Sequence, residues 1–252
     1  MRQNIVIHGP KGKLSATVNK PELKAGEKCP MVILMHGFMS NKRLEPFKTI
    51  AGQLEEAGIA AMRFDFDGHG KSDGMFCEMT VETELADAKS VYEYVLGLDY
   101  VSKIALAGHS QGGVVAGMTA GKLGSDRIAC LVQLAAAAVL KDDAIHGVLM
   151  GRRYDPKDLP DHLKVFFHKV GRSYFAVAQV LPIFETSGAY DGPVCLIHGK
   201  DDTAVPFSYS EHYHEVYAHS ELHLLDGEDH TFSRRRPEVI ATTVDFLKKH
   251  LL

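Results

Sequence analysis

Short segments that are apolar on both faces recur along this chain at intervals that leave room for a helix between them. Pro30–Gly37 (PMVILMHG), Ile59–Gly68 (IAAMRFDFDG), Lys103–Gly108 (KIALAG), Ile128–Ala137 (IACLVQLAAA), Pro193–Gly199 (PVCLIHG) and Glu221–Gly227 (ELHLLDG) are such segments. A strand exposed to water on one face alternates apolar and polar residues. A strand covered on both faces has no polar side, and that condition is met almost only in parallel sheets flanked by helices. The intervening segments carry helical periodicity: Arg43–Gly58, Thr80–Gly97, Gln111–Gly124, Ser208–Ala218 and Arg236–Leu252. Thr80 reads as an N-cap, with a capping box closed by a glutamate of the first turn expected behind it. Near the start, Asn4–His8 and Lys13–Lys20 read as two strands of a hairpin joined by GPKGK. The pattern predicts an α/β fold, with a mostly parallel eight-stranded sheet and helices on both faces.

The chain has 252 residues, long enough for one substantial core and short enough for a single domain over 1–252. Its net charge of −4 leaves no basic footprint for nucleic acid. Arg234-Arg235-Arg236 reads as a solvated face near a helix start. No apolar run is long enough to cross a membrane, and the first residues lack the apolar core of a signal peptide. Cys29, Cys77, Cys130 and Cys195 show no short CxxC spacing. Two of them lie in apolar runs, so buried thiols in a reducing, cytoplasmic setting are expected. One stretch breaks the alternation. Residues 139–191 lie between two predicted strands, where a parallel crossover needs only a dozen or so residues. The stretch is rich in aromatics and holds Pro156, Pro160 and Pro182. Inserted at the carboxyl end of the sheet, it reads as a lid.

In such sheets ligands sit at the carboxyl ends of the strands. Gly108-His109-Ser110-Gln111-Gly112 falls there, between a predicted strand and a predicted helix, and matches G-x-S-x-G. A sharp strand-to-helix turn strains the serine backbone and lifts its Oγ. Side chains two positions to either side would collide across that turn, so both positions are glycine. Downstream, HGKDDTAVP supplies Asp201 and Asp202 after one strand, and LLDGEDHTF supplies His230 after the next. A serine hydroxyl needs a base, and the base needs a carboxylate to orient it.

HGF after the third strand, DFDGHGKSDG after the fourth, GHSQGG, HGKDDTAVP and GEDHTF occur in the order seen in α/β-hydrolases, and the chain resembles that family over essentially its whole length. The resemblance implies Ser110 as nucleophile, His230 as base and Asp202 as the acid, with Asp201 a variable neighbour in a solvated turn. It implies an oxyanion hole built from the backbone N–H groups of Phe38 and Gln111, and no metal or organic cofactor. The chain is further similar to bacterial cinnamoyl (feruloyl) esterases, through LAAAAVLKDDA, YDPKDLPDHL and SYFAVAQVLPIFE. That subgroup places its lid after the sixth strand. It uses a lid aspartate and tyrosine to bind the ring hydroxyl of the acyl group, here Asp143 and Tyr174. Two bland alternatives stand beside these roles: Asp143 caps a helix starting near Ala144, and Tyr174 packs within the lid. Met150 stands where related lids carry a polar residue.

The expected reaction is hydrolysis of a small-molecule ester with an aromatic acyl group. Alternatives are a general short-chain carboxylesterase or monoacylglycerol lipase, and a non-catalytic ligand-binding relative. Oligomeric state is left open, a homodimer included. Other signals point elsewhere. Gly70-Lys71-Ser72 lacks the first glycine of a phosphate-binding loop, since Asp65 occupies that position, and reads as a tight turn. His212 and His214 point to different sides of a helix and read as surface residues. His36 reads as a support for local backbone, and His109 as pointing away from the Ser110 hydroxyl.

Overall fold

The structure, a computed structural model, describes residues 1–252. β1 (Arg2–His8) and β2 (Lys13–Asn19) form an antiparallel hairpin that pairs Arg2 with Asn19 and His8 with Lys13. There follow β3 (Cys29–Met35), α1 (Phe47–Glu56), β4 (Ala60–Phe64), α2 (Val81–Leu96), β5 (Val101–His109), α3 (Gln111–Leu123) and β6 (Leu131–Leu134). The segment from residue 139 begins with α4 (Val139–Ile145). It continues through two ribbons, β7 (Val148–Leu149) with β8 (Arg152–Arg153) and β9 (His162–Val165) with β10 (His168–Gly171), into α5 (Arg172–Val180) and α6 (Ile183–Ser187). β11 (Val194–Gly199), α7 (Ser208–Val216), β12 (Ser220–Leu225) and α8 (Arg236–Leu251) complete the chain.

Eight strands form one sheet in the order β1-β2-β4-β3-β5-β6-β11-β12. Only β2 runs against its neighbours; every other pair from β4 to β12 is parallel. The both-faces rule is met residue by residue. Met31, Ile33 and Met35 of β3 enter the core shared with α2 and α3, while Val32 and Leu34 enter the core under α1 and α8. Ile104 and Leu106 of β5 face the first core, and Ala105 and Ala107 the second. The chain order reverses between β3 and β5, with β4 on one side and β6 on the other. The crevice at their carboxyl ends is therefore the switch point at which such sheets bind ligands.

The elements differ from their sequence patterns at three points. α1 starts at Phe47 rather than near Arg43, because Pro46 disfavours helical backbone at the residue before it. β6 is limited to four residues, and the alanines after it turn away from the sheet. The α2 capping box is closed by Thr83, not by a glutamate. The Thr83 N–H donates to Thr80 Oγ1 at 3.1 Å, and the Thr80 N–H to Thr83 Oγ1 at 3.0 Å. A hydroxyl serves because the box needs only an acceptor within reach of the N-cap amide.

Part of the 139–191 segment packs with the main body. Ile183, Ser187 and Tyr190 are fully buried, and the Tyr190 hydroxyl donates to the Ile128 carbonyl at 2.8 Å. The earlier part has a small core of its own, formed by Leu149, Val165, Val170, Tyr174 and Phe175 with Met79 of the main body. Asp143 lies inside α4, so it does not cap that helix. Gly70 has φ 55°; the Lys71 N–H donates to the Asp65 carboxylate and the Ser72 hydroxyl to the Asp65 backbone carbonyl, so this loop closes on a residue of the protein itself. No helix is long and apolar enough to cross a membrane. Replacing Thr80 with alanine removes the hydroxyl that accepts from the Thr83 N–H and leaves the backbone half of the capping box in place. It should lower stability by about 1 kcal/mol, read as a shift of the urea midpoint at unchanged slope.

Candidate active site

Ser110 links β5 to α3 with φ 56° and ψ −125°, a conformation rare for any residue with a side chain. Its surroundings over-determine it. The Ser110 N–H donates to the Leu134 carbonyl at 2.9 Å, and its carbonyl accepts from Gly113 at 2.9 Å and Ala137 at 3.0 Å. The turn is so tight that a Cβ on Gly108 would run into the Gly112 carbonyl oxygen, and one on Gly112 into the His36 carbonyl oxygen. A Cβ on Gly37 would lie 2.8 Å from Ser110 Cβ. The glycine requirement thus extends beyond the motif, to the end of the neighbouring strand.

The hydroxyl raised by this turn meets His230. Ser110 Oγ is 2.9 Å from His230 Nε2, and His230 Nδ1 is 2.7 Å from Asp202 Oδ2. Asp202 accepts four hydrogen bonds. Oδ1 takes the N–H groups of Ala204 and Val205, both at 2.8 Å, and Oδ2 takes His230 and, at 3.1 Å, His198 Nε2. Burial alone would raise its pKa. The hydrogen bonds from His198 and His230 and the attraction of the His230 ring outweigh that and hold it well below the usual carboxylate range. The ion at 202 therefore persists at neutral pH and keeps the proton of His230 on Nδ1, leaving Nε2 to accept from Ser110. Asp201 is exposed and reaches only Arg234, at 3.3 Å.

The Phe38 N–H donates to no group of the protein. The Gln111 N–H opens α3, where helices have no internal acceptor for it. Both flank Ser110, since β3 and β5 are adjacent and Met35 pairs with Gly108. His36 keeps this corner in place. Its Nε2 accepts from the Phe66 N–H at 3.2 Å, so its Nδ1–H donates to the Gly37 carbonyl at 2.9 Å. Burial and the nearby His69 ring lower its pKa to about 3, so it acts as a neutral ring.

Beside Ser110 and His230 opens a slot of about 140 Å³, lined mainly by Phe38, Met39, Val139, Leu149, Met150 and Tyr174. Asp143 lies on its wall, and its pKa is raised by burial and then by the charge of Asp142. The Tyr174 hydroxyl is not free to donate into the slot: its proton goes to Gln111 Oε1 at 2.8 Å. A larger depression, about 550 Å³, lies by the other end of β5 near Lys103 and Arg127, and it holds no paired nucleophile and base.

The sequence model of the family described as serine aminopeptidase, S33, matches residues 26–156, which include β3 and the turn at Ser110. This chain belongs to that hydrolase family. Among solved structures, the hydrolase is similar to Est1E from Butyrivibrio proteoclasticus with ferulic acid bound. That match has 32% identity, a TM-score of 0.93 and coverage of 98% of each chain. A second Est1E structure matches at 29% identity and a TM-score of 0.89, again covering 98% of each. The human protein ABHD12B is 24% identical over 228 residues, which are 87% of this hydrolase and 61% of ABHD12B. The hydrolase thus spans less than two thirds of that relative's length.

Two supports of the site have no obvious signal in the sequence. His198, fully buried, bridges Asp202 and the Val205 carbonyl through Nε2, while its Nδ1 accepts from the Ser210 hydroxyl at 2.6 Å. Glu228, also fully buried, accepts from the Asp229 N–H at 2.8 Å, the Arg234 N–H at 3.2 Å and the Arg235 N–H. It thereby ties both sides of the His230 turn together. Each lies inside a family motif, HGKDD and GEDH, so position was the only available clue. His109 donates Nε2–H to the His230 carbonyl at 2.8 Å; burial and then His230 lower its pKa to about 4, which keeps it neutral.

The state of Asp202 has a consequence for acid stability. Its folded pKa lies below its ordinary value of 3.8. Its contribution is present in full above that value and is lost as pH falls below it. Asp202→Asn should therefore flatten the loss of stability between neutral pH and pH 3, measured by urea denaturation at both. An unchanged acid slope would contradict the assignment.

Proposed function

We propose that this hydrolase is a serine carboxylesterase that cleaves esters of hydroxycinnamic acids through an acyl-enzyme. The observation that carries the reading is the continuous contact Ser110–His230–Asp202 at the mouth of an apolar slot. Ser110 Oγ attacks the ester carbonyl carbon while His230 Nε2 takes its proton. The carbonyl oxygen becomes an oxyanion between the N–H groups of Phe38 and Gln111, where each donor is worth roughly 3 kcal/mol in the transition state. Asp202 stabilises the imidazolium. His230 then delivers the proton to the leaving alkoxide, and the alcohol departs. Water attacks the acyl-enzyme with His230 as base, the acid is released, and the proton returns to Ser110.

The aromatic acyl group is supported by the likeness to Est1E with ferulic acid bound and by the chemistry of the slot. Phe38 and Tyr174, packed against each other with centroids 5.5 Å apart, supply an aromatic wall to the slot. Asp143 is the acceptor for a ring hydroxyl. Tyr174, its proton committed to Gln111, offers an acceptor lone pair and not a donor. Residues 139–181 then act as the cover that closes the slot. The four free thiols support a reducing compartment, in keeping with a cytoplasmic enzyme.

A second reading, a short-chain esterase or monoacylglycerol lipase, draws on the aliphatic part of the lining, Met39, Val139, Leu149 and Met150. A non-catalytic binding protein on this fold is the third. Ser110→Ala should lower kcat by about 10⁶ and abolish stoichiometric labelling by a fluorophosphonate. An unlabelled wild-type protein would favour the third reading. Asp143→Ala should lower kcat/KM for ethyl ferulate about tenfold, the worth of one hydrogen bond to a charged group, and leave p-nitrophenyl butyrate within about twofold. A strong wild-type preference for the butyrate would favour the second.

A further inference from the structure

Under the nucleophile turn lies a carboxyl group for which the esterase chemistry has no use. Glu84, on α2, is 1% exposed. Its Oε2 accepts from Gln111 Nε2 at 2.9 Å, and Gln111 Oε1 accepts from the Tyr174 hydroxyl at 2.8 Å. One chain of side-chain hydrogen bonds therefore joins α2, the residue immediately after Ser110, and α5 of the inserted segment. Gln111 has one amide to spend and spends both ends of it here. Its remaining contact is Met79 Sδ at 3.6 Å. Glu84 Oε1 is buried without a partner.

These surroundings suit an uncharged acid and not an anion. A buried carboxylate needs several donors or a cation to replace water. Glu84 has one neutral amide. The titratable groups facing it are Asp87 on its own helix and Tyr174 on α5, and neither supplies positive charge. Gln111 faces it from α3 and Met79 from the loop before α2, both neutral. Burial raises its pKa to about 8; the Gln111 hydrogen bond offsets part of that, and Asp87 adds to it.

We propose that Glu84, in its protonated form, is a positioning residue that holds Gln111 and Tyr174 in the reactive arrangement, and that its ionisation switches that arrangement off. The proposal rests on the esterase reading above, because the Gln111 amide is there an oxyanion donor. Ionised, Glu84 would place a full negative charge one side chain away from the developing oxyanion, in surroundings too dry to screen it. The loss of the Glu84 proton would also drive the buried carboxylate toward water, pulling on the Gln111 side chain and, through it, on the Tyr174 wall of the slot.

The test is the pH profile of kcat/KM for a soluble ester, in wild type, Glu84→Gln and Asp87→Asn. Glutamine matches the protonated acid in shape and hydrogen bonding and cannot ionise. The wild-type profile should fall on the alkaline side with an apparent pKa near 8. Glu84→Gln should keep the neutral-pH value within about threefold and lose the alkaline fall, whereas Asp87→Asn should retain the fall. A profile in Glu84→Gln that falls as in wild type overturns the proposal, as does a fall abolished by Asp87→Asn alone. If Glu84→Gln does not fold, wild type labelled with ¹³C at the glutamate carboxyl reports directly. One glutamate should titrate near 8; if every glutamate has ionised by neutral pH, the proposal fails. Fluorophosphonate labelling of wild type at neutral pH separates the two failures. Absent labelling removes the esterase reading, while labelling with an unaltered alkaline limb removes only the role of Glu84.

Discussion

The site depends on a backbone turn that has room for no side chain but one. Ser110 sits in a left-handed conformation because its N–H and carbonyl are claimed by β6, α3 and the loop after β6, and because glycine at 37, 108 and 112 lets three pieces of chain come together. The same close approach brings the end of β3 beside the start of α3. The amides of Phe38 and Gln111 therefore flank the serine as a result of sheet order, with no residue devoted to placing them. Strain of this kind persists where surrounding contacts over-determine it, and it concentrates at functional sites.

The charged half of the site is built by saturating one carboxylate. Asp202 is buried, which alone would favour its neutral form. Two backbone amides and two imidazoles reverse that balance. Around it, His198, His109 and Glu228 form a scaffold whose members are themselves fully engaged. Each would be costly to bury alone. Together they leave His230 Nε2 as the group pointed at Ser110.

At Gln111, the residue after Ser110, the arrangement has the opposite polarity. Glu84 is starved of donors where Asp202 is saturated, and the two carboxyl groups are pushed to opposite sides of neutrality. Both touch the residues that flank Ser110, one through His230 and one through Gln111. The inserted segment enters the same network through Tyr174. Its packing along the slot is thus coupled to the Ser110 turn by a hydrogen bond as well as by apolar contact.

Much of this was legible in the chain itself. Doubly apolar strands separated by helical segments determine a covered parallel sheet, since no other arrangement leaves such strands without a wet face. Glycines spaced around a serine at a strand end determine a sharp turn, because only there is a Cβ intolerable on both sides. The choice of Asp202 over Asp201, and of His230 among fourteen histidines, came from the resemblance to the α/β-hydrolase motifs and not from order along the chain. Other features depended on the tertiary structure. That Tyr174 gives its proton to Gln111, that Glu84 lies beneath the turn, that Gly37 meets Ser110 and that Glu228 binds three amides are contacts between residues distant in sequence or aimed by backbone geometry. A side chain's type states what it can bond. Whether water or another side chain takes that bond is decided by what folding brings against it.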